Sequence, residues 1–242
     1  MLQDIYNKIA STYDQDVLEM NRLELFPYDH YDDLLTTISS IISSQDHLET
    51  VQILDLGIGT ANLYSKVMPE RTQVVGLDFS RQMLEIAKLK CPNVTFVCHD
   101  FMKGLPEEYK HYRFDFIVST YAIHDLDTNQ LLDTIHYYLQ FLNPMGKLIL
   151  GDNLFLDYES SIRTKEKYLD SWNELSHYHI YNQLVSKINA NLSLSYMKLS
   201  VSTGLIIIEN VHECALQFEE NLVQYVSNTM KWKSNPIRKK SE

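Results

Sequence analysis

Short apolar runs recur along the first two thirds of the chain, and each stops at a polar or acidic residue before a stretch with helical spacing. The first is Val51-Gln52-Ile53-Leu54-Asp55-Leu56, which leads straight into Gly57-Ile58-Gly59-Thr60-Ala61. This predicts a buried strand that turns sharply into a helix. Thr72 to Asp78, Val94 to Asp100, Phe114 to Thr120 and Lys147 to Asp152 repeat the pattern as four further strands. Between them, Ser80 reads as the N-cap of a helix with Met83, Leu84 and Ala87 on one face. Asp127 with Gln130 reads as a capping-box start for a helix running to Leu142, broken by Asn143-Pro144-Met145-Gly146. Apolar strands that alternate with amphipathic helices predict an α/β fold whose parallel sheet is covered on both faces. In such sheets ligands sit beyond the carboxyl ends of the strands, which is where the acids fall.

The glycine turn carries the first chemical signal. Without Cβ atoms the backbone at Gly57 and Gly59 can approach a ligand closely, and the following helix aims free N–H groups at the same place. Asp55 adds a carboxylate just before the turn and favours a cationic, nucleotide-like ligand over a pyrophosphate. The dinucleotide fingerprint Gly-x-Gly-x-x-Gly fails here, because its sixth position is Asn62. A turn that holds no ligand is the plainer alternative for this motif alone. Asp78 lies about twenty residues further on, where a doubly wound fold places a carboxylate against ribose hydroxyls. Asp100 beside Phe101 offers an acceptor and a ring, which suits adenine.

In this order, Asp55-Leu56-Gly57-Ile58-Gly59-Thr60-Ala61, Asp78, Asp100-Phe101 and Ser119 to His124 resemble the motifs of the class I S-adenosylmethionine-dependent methyltransferases. The segment Ile5-Tyr6-Asn7-Lys8-Ile9-Ala10-Ser11-Thr12-Tyr13-Asp14 is similar to the entry segment of small-molecule members, including the ubiquinone and menaquinone biosynthesis methyltransferases. The resemblance covers residues 1 to about 155, and more weakly to about 210. It implies a Rossmann-like seven-stranded sheet, order 3-2-1-4-5-7-6 with the last strand antiparallel, and S-adenosyl-L-methionine as cofactor. The implied cofactor-binding positions are Asp55, Gly57, Gly59, Thr60, Ala61, Asp78, Phe79, Met83, Asp100, Phe101, Ser119 and Tyr121. Ala61 departs from the family, which usually has a third glycine there. The reaction implied is in-line displacement at a sulfonium methyl, driven mostly by alignment. A general base is needed only for a weakly acidic nucleophile. His124, just beyond the fourth strand, is the candidate base, with helix capping or a backbone hydrogen bond as the alternative. Tyr13 is placed over the methionine end of the cofactor, and Asp152 is a second point of substrate contact.

Composition narrows the partners. The chain has 242 residues and a formal net charge of -11, which disfavours a nucleic-acid substrate. The basic stretch Arg238-Lys239-Lys240 reads as a solvated terminus. Three cysteines, Cys91, Cys98 and Cys214, are too few and scattered for a disulfide framework or zinc site. No apolar run nears the eighteen or so residues that span a bilayer, and the amino end lacks a signal pattern. A cytoplasmic single-domain enzyme without metal is the expectation, and an association into a homodimer is left open.

The domain is expected to divide into a helical cap (1–45), a cofactor-binding core (50–152), a helical lid insert (153–192), and a closing hairpin with a final helix (193–242). The insert shows no strand pattern but carries Tyr158, Tyr168, Trp172, Tyr178 and Tyr181 on two or three helices. These aromatics either close over substrate or pack the insert onto the sheet. Leu194 to Ser200 and Gly204 to Glu209 read as the hairpin, and 212–232 as the helix. Ser119-Thr120-Tyr121-Ala122 lacks the Asp/Asn-Pro-Pro-Tyr grip of enzymes that methylate base amines, and no Pro-Cys nucleophile for pyrimidine carbon is present. His177 and His179, taken as helical, point to different faces and make no metal site. The sequence thus leads to methyl transfer onto a small molecule. An RNA or protein methyltransferase is one rival and a catalytically silent cofactor-binding module is another. A nicotinamide oxidoreductase is disfavoured by Asn62 and Asp100.

Overall fold

In the computed structural model, residues 2–45, 48–66, 71–189 and 191–210 are described. The strands are β1 (Val51–Leu56), β2 (Thr72–Asp78), β3 (Thr95–Cys98), β4 (Phe114–Thr120), β5 (Leu142–Phe155), β6 (His179–Ile180), β7 (Leu192–Lys198) and β8 (Thr203–Asn210). They form one sheet in the order β3-β2-β1-β4-β5-β8-β7, with β6 paired to β5 off this path. Set β6 aside, and this is the expected seven-strand order. β1 to β5 run parallel, whereas β8 is antiparallel to both β5 and β7.

Alternation along each strand splits the apolar residues between two cores. Val51 and Ile53 of β1 join one cluster, with Leu34, Leu35 and Ile38 of α2 (Tyr31–Ser43) and Leu84 and Ala87 of α4 (Arg81–Lys90). Leu54 and Leu56 join the other, with Leu131, Ile135 and Tyr138 of α5 (Thr128–Leu139). The sheet is therefore covered on both faces. Before α2 lies α1 (Leu2–Arg22), and the short α3 (Asn62–Lys66) follows the glycine turn.

Three expectations are corrected. The helix begun by the Asp127/Gln130 capping box ends at Leu139, not Leu142. Asn143 to Gly146 does not break a helix: it is a bulge inside β5, where pairing jumps from Phe114↔Leu142 to Phe116↔Lys147 and Met145 takes φ 65°. A local break signal cannot distinguish the two, because both need a residue outside helical and extended backbone. The insert holds α6 (Tyr158–Lys167) and α7 (Tyr181–Val185), but also β6. His179 is thus extended rather than helical, and its Nε2 lies 3.0 Å from the Ile123 carbonyl. The segment 212–232, Cys214 and the basic stretch lie outside the described residues. Among the described residues no helix is long and apolar enough to cross a membrane.

Candidate functional site

At the carboxyl ends of β1, β2 and β4 a cavity opens beneath α1. The glycine turn forms its floor. Gly57 has φ +78°, and a Cβ there would lie 2.5 Å from that of Ala122, so the turn and the end of β4 touch only because glycine is present. Gly59, at φ +54°, aims its N–H at Asp78 Oδ2, 2.9 Å away, while Ser80 N–H donates to Oδ1 at 2.7 Å. Burial raises the Asp78 pKa to about 6 despite these two donors.

Asp55 is more deeply buried still. Burial lifts its pKa to about 7, the Tyr64 hydroxyl opposing the rise and the Asp78 charge adding to it. Its Oδ1 is buried with no hydrogen bond of adequate geometry, and it borders the cavity. A buried carboxylate oxygen without a donor costs free energy that a cationic or hydrogen-bonding ligand recovers.

α1 roofs the cavity with Leu2, Tyr6 and Tyr13, which helical spacing puts on one face. The helix is tied down along its length. Gln3 Nε2 donates to the Phe79 carbonyl at 2.5 Å, and Ser80 Oγ donates to Asn7 Oδ1 at 2.7 Å. Asp14 accepts from Thr60 Oγ1 at 2.5 Å and Asn62 Nδ2 at 3.0 Å, and pairs with Lys90 Nζ at 2.7 Å. Burial pushes the Asp14 carboxyl up, but Lys90 and the other donors hold it below its ordinary value. Tyrosines line the far side: Tyr31 and Tyr121 border the cavity, their rings 5.1 Å apart, and Tyr28 packs on both.

Of the expected positions, Tyr13, Asp55, Gly57, Gly59, Thr60 and Asp78 line this cavity, as do Phe79, Met83, Asp100, Phe101 and Tyr121. Asp100 Oδ1 also accepts from Met102 N–H at 3.0 Å and so caps its own turn. Two positions stand behind the wall. Ser119 Oγ donates to the Leu56 carbonyl at 2.7 Å and ties β4 to β1, and Ala61 is buried at φ 61°. His124 is also set back: its Nδ1 lies 3.1 Å from both Asp152 oxygens, and its Nε2 3.4 Å from the Tyr6 hydroxyl. Burial lowers its pKa, but the Asp152 carboxylate, with Asp125, more than reverses this and raises it to about 9. His124 is therefore protonated at neutral pH. Asp152, buried, is held below its ordinary value by that charge and by the N–H groups of Ile123, His124 and Asn153.

Sequence reasoning passed over Tyr6 and Asp125. Both line the cavity, and the Tyr6 hydroxyl donates to Asp125 Oδ2 at 2.8 Å. The seven-residue spacing of Tyr6 and Tyr13 on one helix was the available signal. The insert's aromatics lie elsewhere. Tyr168 and Trp172 stack on Phe26 at 5.6 and 5.4 Å, Tyr178 packs on Trp172 at 4.1 Å, and Tyr181 packs on Tyr196 at 5.4 Å. Neither these nor the exposed Tyr158 border the cavity.

Comparison with known proteins points to methyltransferases. Residues 53–146 match a family model described as a methyltransferase domain. The chain is 28% identical over 198 residues to an uncharacterised methyltransferase of Alkaliphilus oremlandii, covering 79% of this chain and 88% of that one. It is 32% identical over 166 residues to an uncharacterised methyltransferase of Bacillus cytotoxicus, covering 67% and 72%. Among solved structures, magnesium protoporphyrin IX methyltransferase of Synechocystis PCC 6803 superposes with a TM-score of 0.58 at 13% identity, over 75% of this chain and 84% of that one. This last likeness is one of fold.

Proposed function

The chain belongs to the class I S-adenosylmethionine-dependent methyltransferases, and we propose that it transfers the methyl group to a small-molecule acceptor held under α1. The observation that carries this reading is the roofed cavity bordered by the unpartnered Asp55 oxygen. A buried carboxylate with a free lone pair fits a cofactor that bears an ammonium group and a sulfonium. The roof of Leu2, Tyr6 and Tyr13 lowers the local dielectric, which strengthens electrostatic contacts inside.

S-adenosylmethionine, when bound, supplies a methyl group activated for displacement. The chain's own part is to hold and align. Asp78, oriented by Gly59 and Ser80, accepts from ribose hydroxyls; Asp100 and Phe101 take the adenine; Asp55 takes the amino group of the methionine end. Thr60, Tyr13 and Tyr121 enclose that end, with Phe79 and Met83 on the ribose side. His124, as an imidazolium, acts through the carboxylates beside it and becomes a base only once it has lost its proton. The acidic lining and the net charge of -11 favour a small acceptor over RNA.

Calorimetric titration with S-adenosylhomocysteine, beside NADH and with Asp78→Ala, tests the reading. Micromolar binding that weakens at least tenfold in the variant, about 1.4 kcal/mol, is expected. No binding, or preference for NADH, overturns it.

A further inference from the structure

The cavity's charges do not balance around the cofactor alone. Four carboxylates line it, Asp55, Asp78, Asp100 and Asp125, and among the described residues no Lys, Arg or His does. On the reading above, which this inference rests on, the first three serve the amino group, ribose and adenine. Asp125 has no such task. One oxygen accepts from Tyr6 and the other lies 3.9 Å from His124 Nε2, too far for a hydrogen bond. His124 is shared with the fully buried Asp152, so the group Asp152–His124–Asp125 keeps one net negative charge, and Asp125 is its only member on the cavity wall.

Aromatic faces stand close by. The Tyr6 ring packs edge-on against Phe79 at 5.6 Å, and Tyr28 and Tyr31 pack on Tyr121, each 5.1 Å from it. Tyrosine faces beside a carboxylate attract an organic cation. They offer an anionic acceptor, such as a carboxylate or a phosphate, no counter-charge.

We propose that the methyl acceptor is a small amine, held as its ammonium ion by the Asp125 carboxylate among the tyrosine rings. The ammonium gives one proton to Asp125, which frees the nitrogen lone pair. The new N–C bond forms to the methyl carbon as the C–S bond breaks and its electron pair stays on sulfur. The proton leaves Asp125 for water when product departs. Asp125 is the catalytic residue; Tyr6 and His124 are positioning residues, which orient its carboxylate and set its charge. Burial raises the Asp125 pKa, against the opposing effects of His124 and Tyr6. The groups that face it are Tyr6 from α1, Tyr28 ahead of α2, His124 beside it, Asp152 in β5, His177 from the insert and Asp78 at the end of β2.

The test uses the full chain saturated with S-adenosylhomocysteine and titrated in a calorimeter with benzylamine and ethylamine, against benzyl alcohol, ethanol, benzoate and acetate. At least one amine should bind at least tenfold more tightly than its alcohol and carboxylate counterparts. Asp125→Asn should remove that preference while S-adenosylhomocysteine affinity stays within about twofold, which also reports that the variant folds. His124→Gln should move the acid limb of amine binding to higher pH, because Asp125 loses the cation that lowers its pKa. Tyr6→Phe, which leaves Asp125 in place, should weaken amine binding several-fold. Equal or tighter binding of an alcohol or carboxylate, no binding by either amine, or an unchanged preference in Asp125→Asn overturns the amine assignment alone. Failure to bind S-adenosylhomocysteine at all overturns the cofactor reading, and this one with it.

Discussion

The two ends of the cavity handle buried carboxylates in opposite ways. At the glycine turn, Asp78 is held by backbone N–H groups and Asp55 is left with an open oxygen, so burial prevails and their pKa values rise to about 6 and about 7. Between β4 and β5, Asp152 is as deeply buried, yet an imidazolium and three N–H groups hold it below the ordinary carboxylate range. The first end is poised to gain charge when a cationic ligand arrives. At the second, Asp152 has its charge satisfied before any ligand enters. On the proposed function one is a binding device and the Asp152–His124 pair a fixed frame, and substitutions should divide along that line.

The largest effect is expected at the frame. Asp152→Ala orphans a buried imidazolium and three N–H groups, and should cost about 3–5 kcal/mol of stability, read as a fall in the urea midpoint. The pH dependence follows from His124, whose pKa is raised to about 9 from 6.5. A raised folded-state value gives stability that is complete below the unfolded value and lost as pH climbs through the folded one. The parent protein should therefore lose stability between about pH 6.5 and 9, and Asp152→Ala should show little of that slope.

At the binding end the expected effect is on the ligand rather than the fold. Asp55→Asn keeps the shape but removes the charge, and should weaken S-adenosylmethionine by about 2 kcal/mol, roughly 30-fold, with a similar loss for S-adenosylhomocysteine, which carries the same amino group. Because Asp55 and Asp78 are raised from 3.8, the ligand-free fold should be favoured at low pH and lose that contribution as pH rises from about 4 through about 6 to 7. Cofactor affinity should run the other way and strengthen over the same range. Titrations in buffers of different ionisation enthalpy should show protons released on binding. Proton uptake, or none, would sink the comparison.

The same contrast explains what the sequence disclosed. The binding end is local: Asp55, Gly57 and Gly59 lie within one strand and turn, and Asp78 and Asp100 each sit at or just beyond a strand end, so pattern and spacing suffice. The other end joins side chains far apart in the chain. Tyr6 reaches Asp125 across 119 positions, and Asp152 reaches His124 across 28. No period or motif encodes such a meeting, which is why Tyr6 and Asp125 escaped notice. A two-residue strand such as β6 leaves no alternation to detect, and the insert's Tyr168 and Trp172 are directed to the core by Phe26, a residue far from them in the chain.

A smaller effect is expected where the roof meets the floor. Lys90→Ala removes the partly exposed ion pair with Asp14 and the contact with Asn62, worth about 1 kcal/mol at most given solvent screening. If α1 lifts for the cofactor to exchange, the product should leave several-fold faster, which stopped-flow displacement would record. An unchanged off-rate would mean that the Gln3 and Asn7 contacts at the other end of α1 control release.

The smallest effect is expected at Ala61, where the family's glycine is replaced. At φ 61° an L-residue costs about 1–2 kcal/mol relative to ordinary backbone. Its methyl, however, is buried in the core with Val51, Leu63 and Leu84, and burying one such group returns about 0.8 kcal/mol. Glycine would relieve the strain but lose that contact and add freedom to the unfolded chain. The terms nearly cancel, so Ala61→Gly should change stability by less than about 1 kcal/mol and leave S-adenosylhomocysteine affinity within about twofold, because the residue stands behind the cavity wall. Ala61→Val has no such compensation: a β-branched side chain at positive φ, in a filled core, should cost more than about 2 kcal/mol. If the glycine variant bound the cofactor markedly more tightly, the turn would be strained as a binding element, and the line between frame and binding device would run through Ala61 itself.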